Sequence, residues 1–161
     1  MCDWLDLFWK WSGTTPEKYS IEGMNQNKGE FEDDFPFFQE LISYAIESIN
    51  NNVLDEVSVD EIITIMALDN ECECILEYIV DNSSDEQIKR IIEYGMVHSQ
   101  YNARWQIAEL IFRRKPIDFG RYLSKLSLDN HPYVRRRALN LINRQKPEIR
   151  MPGDGMPPLK K

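Results

Sequence analysis

The stretch LDNHPYVRRRALNLI, Leu128–Ile142, decides the fold that the sequence predicts. Val134, Ala138 and Leu141 recur within it at spacings of four and three residues, which places them on one face of an α-helix. Asp129 stands just before this apolar pattern, and aspartate is a common turn residue. The stretch therefore predicts a turn followed by a helix that buries one apolar stripe.

Three consecutive arginines in this helix either bind an anion or support the fold. At about 100° per residue, Arg135 flanks the apolar stripe, which favours a structural ion pair with Asp129. Arg136 points away from the stripe and into the solvent. We interpret Arg135 as a residue that serves the fold.

The third arginine, Arg137, lies on the other flank of the stripe, near Tyr133 at i−4 and Arg144 at i+7. Together these three side chains could contact phosphate groups. The alternative, which we favour, is that Arg135 alone is structural and the other two arginines of the triplet are solvated.

This helix belongs to an internal sequence repeat. A shift of 31 residues aligns ARWQIAEL, Ala103–Leu110, with VRRRALNL, Val134–Leu141. The triplet Leu-Asp-Asn also occurs twice, at 68–70 and at 128–130. A period near 30 residues that contains two helices is typical of an α-solenoid.

The turn and the apolar stripe resemble the signature of a HEAT-like repeat, the kind also found in bilin-lyase-type repeats. The residues that carry the resemblance are Asp129, Val134, Arg135, Ala138 and Leu141. The resemblance is close over residues 117–145 and weak over 58–82. Over 84–115 it is intermediate, because His98 stands at the position of the turn aspartate. The resemblance implies that the turn aspartate binds neighbouring backbone or the following arginine and ties successive repeats.

The sequence therefore predicts a single all-α domain, a right-handed α-solenoid of HEAT-like hairpins with about seven to eight helices. Ser58 and Ser84 are the predicted N-caps of two of these helices. We expect an aromatic N-terminal helix and a polar loop over 1–34, the helical repeat domain over 35–145, and a disordered tail over 146–161.

Aromatic side chains concentrate in the N-terminal helix. Trp4, Phe8 and Trp11 fall on one side of it, where they could cover the open apolar end of the first repeat. The alternative is that Trp9 and its neighbours anchor a partner.

A later helix is apolar on two sides. Trp105 and Phe112 lie roughly opposite the face of Ala103 and Ile107. Such a helix is either sandwiched between neighbours, which we favour, or exposes an apolar patch. If the patch is exposed, Trp105 is a candidate hot spot for binding.

Charge is distributed unevenly along the chain, whose net charge is −8. Residues 1–98 hold 22 acidic and 5 basic side chains, whereas residues 99–161 hold 5 acidic and 14 basic ones. The acidic first part could bind a basic protein. The basic second part could bind phosphate, or the acidic part of the same chain.

The three cysteines favour a reducing compartment, because they are few and odd in number. Cys72 and Cys74, at i and i+2 of a predicted helix, point about 200° apart. We interpret them as buried or half-buried thiols and expect no metal site and no cofactor. Asp3 and Asp6 interrupt the apolar N-terminus, so we expect neither a signal peptide nor a membrane span but a cytoplasmic protein.

Motifs of the common catalytic folds are absent: there is no P-loop, dinucleotide fingerprint or nucleophile elbow. The leading hypothesis is therefore a non-catalytic protein-binding module. In size, acidity and class the chain resembles bacterial immunity proteins, which implies a basic, nuclease-type toxin as the partner. The partner-binding candidates are Asp69, Glu73, Glu77, Asp81, Trp105, Phe112, Tyr133, Arg137 and Arg144.

Two alternatives remain open. Some alkylpurine DNA glycosylases are built from HEAT-like repeats, and Trp105 and Glu109 at i and i+4 are the residues that such a DNA-binding function would use here. The other alternative is a scaffold subunit whose acidic and basic ends pair head to tail.

Overall fold

The computed structural model describes residues 3–22, 34–51 and 54–145, and these residues form nine helices and no strand. The all-α prediction is confirmed, with more helices than the seven to eight expected. The predicted tail, 146–161, lies outside the described residues. The helices are α1 Asp3–Ser12, α2 Pro16–Glu22, α3 Phe38–Asn50, α4 Glu56–Leu68, α5 Cys74–Asn82, α6 Asp85–Gly95, α7 Tyr101–Arg114, α8 Phe119–Leu126 and α9 Pro132–Gln145.

The helix α2 lies in the stretch that the sequence analysis assigned to a polar loop, so that part of the prediction is wrong. Its local helix signal is weak, because it offers few apolar residues. Tertiary packing supplies the missing stabilisation: the ring of Tyr19 lies 6.5 Å from that of Phe8 and 5.7 Å from that of Trp9, both in edge-to-face geometry. Phe8 itself is fully buried, and α1 packs on α3.

The helix starts follow capping chemistry. Ser84 caps α6 as predicted and forms a full capping box with Gln87. The predicted cap at Ser58 is wrong, because α4 begins one turn earlier at Asp55. The Asp55 carboxylate accepts a hydrogen bond from the Ser58 backbone N–H at 2.8 Å. The residue predicted as the cap therefore lies in the first turn of α4.

Three consecutive hairpins, α4/α5, α6/α7 and α8/α9, make up the larger part of the chain. Their second helices contact one another in order, α5 with α7 and α7 with α9, and α7 also contacts α4, α6 and α8. The helix α7 is consequently covered on both of its apolar sides. Trp105 is only 5% exposed, as expected for a helix sandwiched between neighbours.

Two arginines 31 residues apart make the same contacts. The Arg104 guanidinium donates to the backbone carbonyls of residues 98 and 99 at 2.7 and 2.9 Å. The Arg135 guanidinium donates to those of residues 129 and 130 at the same two distances. Each arginine thereby holds the turn that precedes its own helix, so the 31-residue similarity in sequence is also a similarity in structure.

The partner of Asp129 differs from the sequence prediction. Its carboxylate pairs with Arg104, not with Arg135, through contacts of 2.8 and 3.1 Å. Arg135 is engaged by the backbone of its own turn, which leaves the carboxylate to the neighbouring hairpin. Both side chains of the pair are buried, at 9% and 8% exposure. Arg104 therefore joins the α6/α7 turn to the α8/α9 turn.

Two buried glutamines connect helices in a similar way. The Gln106 amide donates to the Met66 carbonyl at 2.6 Å, and the Gln87 amide donates to the Ile49 carbonyl at 2.8 Å. Both acceptors lie near the C-terminal ends of their helices, where carbonyls lack partners within the helix. These bonds fix α7 against α4 and α6 against α3.

His98 and His131 give the fold a predicted sensitivity to mild acid. Burial lowers the pKa of both imidazoles, and it outweighs the opposing effect of Asp60 on His98 and of Asp129 on His131. The unfolded chain then binds more protons than the folded one below a pH of about 6.5. The free energy of unfolding is therefore highest above the ordinary histidine pKa. It decreases as the pH falls through the lowered pKa of the folded state.

We expect the urea midpoint to fall between about pH 7.5 and about pH 5.5, a range in which histidine titrates and most carboxylates do not. The variant His98→Gln with His131→Gln should flatten this dependence. Midpoints measured by circular dichroism at several pH values would test it. An unchanged slope in the double variant would show that other groups are responsible.

Candidate functional site

An acidic patch lies on α4 and α6. We define the α4–α6 acidic patch as Asp55, Glu56, Asp60 and Glu93, all of which are exposed. The Tyr94 hydroxyl hydrogen-bonds to Glu56, which raises the pKa of that tyrosine. The Asp60 carboxylate lies 3.8 Å from the His98 ring nitrogen. These contacts place the carboxylates of α4 beside the outer side of α6.

Two apolar side chains, one on α4 and one just after α6, are also exposed. Val57 in the first turn of α4 is 58% exposed, and Val97 after α6 is 71% exposed. The Arg90 guanidinium lies over the ring of Tyr94 at 5.7 Å. Apolar residues within a charged surround are typical of protein interfaces.

The predicted acidic candidates around α5 differ in burial and in their partners. Asp69 is 1% exposed, and its carboxylate accepts a hydrogen bond from the Ile75 N–H at 2.7 Å. Its assignment to partner binding is therefore wrong, because the side chain fixes the α4–α5 connection from inside. Asp81 is exposed, and Glu77 is exposed but forms two hydrogen bonds with Arg113, at 2.5 and 2.7 Å.

The remaining acidic candidate, Glu73, is half-buried and adopts the left-handed conformation with φ 55°. Burial raises its pKa, against the opposing effect of the Arg137 charge. For Glu77 the direction is the reverse, since the hydrogen bond from Arg113 lowers its pKa. The acids of α5 are thus partly neutralised by arginines of α7 and α9.

The basic and aromatic candidates come together on α7 and α9. The Arg137 guanidinium lies over the Trp105 ring at 5.0 Å and forms an ion pair with Glu109 at 2.8 Å. The Arg144 guanidinium lies over the Phe112 ring at 5.1 Å. Because Trp105 is beneath Arg137, its ring face is not open to stacking by a nucleic-acid base.

Tyr133 contacts the same tryptophan ring as Arg137. The Arg136 guanidinium lies 5.1 Å from the centre of the Tyr133 ring. The Tyr133 ring packs edge to face against the Trp105 ring, with 5.9 Å between ring centres. Arg136 is exposed, as predicted from its angle on the helix. The grouping of Tyr133 with Arg137 and Arg144 as one contact surface stays a prediction: Tyr133 and Arg137 both contact the Trp105 ring, whereas Arg144 lies over Phe112.

A groove runs between α7 and α9, with a volume of about 520 Å³. We refer to it as the α7–α9 groove. It is lined by Glu109, Arg137, Asn140, Leu141, Asn143 and Arg144.

The cysteine prediction is wrong in its burial. Cys72 and Cys74 are exposed, because Cys72 lies in the turn before α5 and Cys74 is the first residue of that helix. Within residues 3–22, 34–51 and 54–145, no group of three or more histidines, cysteines or acids is placed to hold a metal ion.

The sequence missed the partners of several candidates. Glu93 belongs to no sequence motif. The ion pair of Glu109 with Arg137 joins two helices, so no local spacing indicates it.

Among the described helices, none combines the length and apolar character needed to cross a bilayer. No protein-family model, curated protein or solved structure matches this chain.

Proposed function

We propose that this chain is a non-catalytic, cytoplasmic protein-binding module, and specifically an immunity protein that binds and occludes a basic, nuclease-type bacterial toxin. The observation that carries the proposal is the α4–α6 acidic patch with its exposed valines. A basic protein surface complements it in charge, and the valines offer apolar area for the interface centre.

The proposed architecture is a right-handed α-solenoid of HEAT-like hairpins, with α4/α5, α6/α7 and α8/α9 as successive repeats. The equivalent contacts of Arg104 and Arg135 support it, and so does the ordered packing of α5, α7 and α9. In such a stack the first helices of the hairpins form one surface and the second helices form another. The acidic patch then belongs to the first surface.

The proposed mechanism is occlusion. A nuclease binds the phosphates of its substrate through a basic cleft, and carboxylates projecting from α4 and α6 would occupy that cleft in their place. Attraction between opposite charges also raises the association rate, which matters for an inhibitor that must act before its target does.

The patch on α4 and α6 fits this role better than the acids of α5. Glu77 of α5 is paired with Arg113 of α7. By contrast, no lysine, arginine or histidine nitrogen among the described residues lies within 4.0 Å of the Glu93 carboxylate. Its charge is therefore free to act on a partner.

Capture from native bacterial lysate tests the partner class. The tagged chain should recover one basic protein in stoichiometric amount, and that protein should degrade nucleic acid when it is freed of the chain. Recovery of acidic proteins or nucleic acid alone would contradict the proposal.

We expect the variant Glu56→Gln, Asp60→Asn and Glu93→Gln to bind the captured protein roughly tenfold or more weakly, mainly through a slower association rate. The difference should shrink at high salt, because exposed charges are screened. Surface plasmon resonance at two salt concentrations measures both effects.

The matched control is Glu40→Gln, Glu47→Gln and Glu71→Gln, which removes the same three charges from exposed positions elsewhere. It should bind nearly as well as the unmodified chain. Equal weakening in both variants would mean that net charge, and not the α4–α6 acidic patch, determines binding.

A further inference from the structure

The α9 side of the α7–α9 groove presents donors at regular spacing. Arg137, Asn140 and Arg144 stand at i, i+3 and i+7, so they share one face of the helix. Asn143 completes this wall. The wall therefore offers two guanidinium groups and two side-chain amides, all of which can donate hydrogen bonds to an anion.

Arg144 is held in place but not neutralised. Its guanidinium lies over the Phe112 ring, while no carboxylate of the described residues lies within 4.0 Å of it and it donates no hydrogen bond to them. A guanidinium stacked on a ring keeps its in-plane N–H edge open to planar or tetrahedral oxyanions. The stacking thus orients a free donor edge at the groove.

Arg137 on the α9 wall pairs with Glu109, which lies on the α7 side of the groove. Their ion pair neutralises the one acid that lines the groove. The Arg137 Nε is buried and has no hydrogen-bond partner within the described part of the chain. Among the side chains that line the groove, Arg144 is then the one with an unpaired charge, and that positive charge favours an anion.

We propose that the α7–α9 groove binds one oxyanion group, a carboxylate or a phosphate, carried by a small ligand. Its volume falls within the range of about 300–1,000 Å³ that is usual for small-molecule sites. Arg144 supplies the charge-assisted hydrogen bonds, and Asn140 and Asn143 add neutral donors.

This site is independent of the proposed immunity function. It lies on α7 and α9, whereas the α4–α6 acidic patch lies on other helices and attracts the opposite charge. A variant that empties the groove should therefore still capture the basic protein, so failure of one proposal leaves the other testable.

Titration followed by two-dimensional NMR tests the site. The probes are inorganic phosphate, phenyl phosphate, acetate and benzoate, each added at constant ionic strength against sodium chloride. We expect saturable shifts of the Arg144 side-chain N–H and of the Asn140 amide. The stronger of the phosphate and carboxylate series identifies the oxyanion.

The matched variants are Arg144→Gln and Arg136→Gln. Each substitution removes one exposed arginine of α9 whose guanidinium lies 5.1 Å from an aromatic ring. Only Arg144 lines the groove. Arg144→Gln should weaken binding about tenfold or more, as for a lost charge-assisted hydrogen bond. Arg136→Gln should stay within about twofold, since it changes only the distant charge.

A second variant, Asn140→Leu, fills the groove without changing its charge and should also weaken binding, with the fold monitored by circular dichroism. The proposal is overturned if no probe gives saturable shifts beyond those of chloride, or if both arginine variants weaken binding equally. Tight, salt-dependent binding of duplex DNA that both variants weaken alike would overturn it too, in favour of a nucleic-acid surface.

Discussion

Replacing Asp129 with alanine is expected to lower the free energy of unfolding by about 3–5 kcal/mol, the usual cost of removing one partner of a buried ion pair. The substitution leaves the Arg104 guanidinium buried without its carboxylate. It also removes the acceptor of the His131 backbone N–H, at 2.8 Å. Urea unfolding followed by circular dichroism measures the loss.

An exposed pair on α8 provides the control. Arg121 pairs with Asp118 at 3.0 Å, but its side chain is largely in solvent. Arg121→Ala should cost no more than about 1 kcal/mol, since surface ion pairs contribute little. If Asp129→Ala costs as little as this control, the joint between the α6/α7 and α8/α9 turns does not depend on the ion pair.

Replacing Gly95 with alanine is expected to cost about 1–3 kcal/mol, although alanine normally favours a helix. A methyl group at this position would lie 2.5 Å from two side-chain carbons of Ile107. Gly95 therefore allows α6 and α7 to approach closely. The control is Gly120→Ala on α8, where nothing lies within 4 Å and a gain of about 0.5–1 kcal/mol is expected.

A double-mutant cycle separates this contact from a general effect. Ile107→Val alone should cost about 0.5–1.5 kcal/mol, because it leaves a small cavity. In the Gly95→Ala background the same change should cost less, because it removes Cδ1, one of the two clashing carbons. Simple additivity of the two changes would refute the close-packing explanation.

Most helices could be predicted because their signals are local. Apolar residues at spacings of three and four marked α9, and the Ser84 capping box marked the start of α6. The helix α2 could not be predicted in the same way, since the contacts of Tyr19 with Phe8 and Trp9 stabilise it from another helix. Where stabilisation comes from elsewhere in the chain, sequence pattern alone fails.

The charged residues show the same limit more clearly. The repeat resemblance placed Asp129 and Arg135 in one turn, and both do serve that turn. The carboxylate nevertheless pairs with Arg104, 25 residues away, because the carbonyls of the turn already occupy Arg135. Such a choice depends on how two hairpins approach each other, which no local spacing specifies.

Several partner-binding candidates were placed correctly, whereas no residue of the α4–α6 acidic patch was among those candidates. Glu73, Glu77, Trp105, Arg137 and Arg144 were named from composition and helix angles, and α5, α7 and α9 carry them on packed neighbours. Their pairings were not predictable, because they depend on how long arginine side chains lie across the adjacent helix. The buried Asp69 was misassigned for the same reason: its acidic neighbours are exposed, and nothing local distinguishes it.

Growth rescue in bacteria tests the proposed function most directly. The basic protein captured from lysate is expressed with the unmodified chain, with the Glu56→Gln, Asp60→Asn and Glu93→Gln variant, or with the matched control at Glu40, Glu47 and Glu71. We predict that the captured protein alone arrests growth. The unmodified chain and the control should restore growth, whereas the patch variant should not. Full rescue by the patch variant, or no growth arrest by the captured protein, would contradict the account.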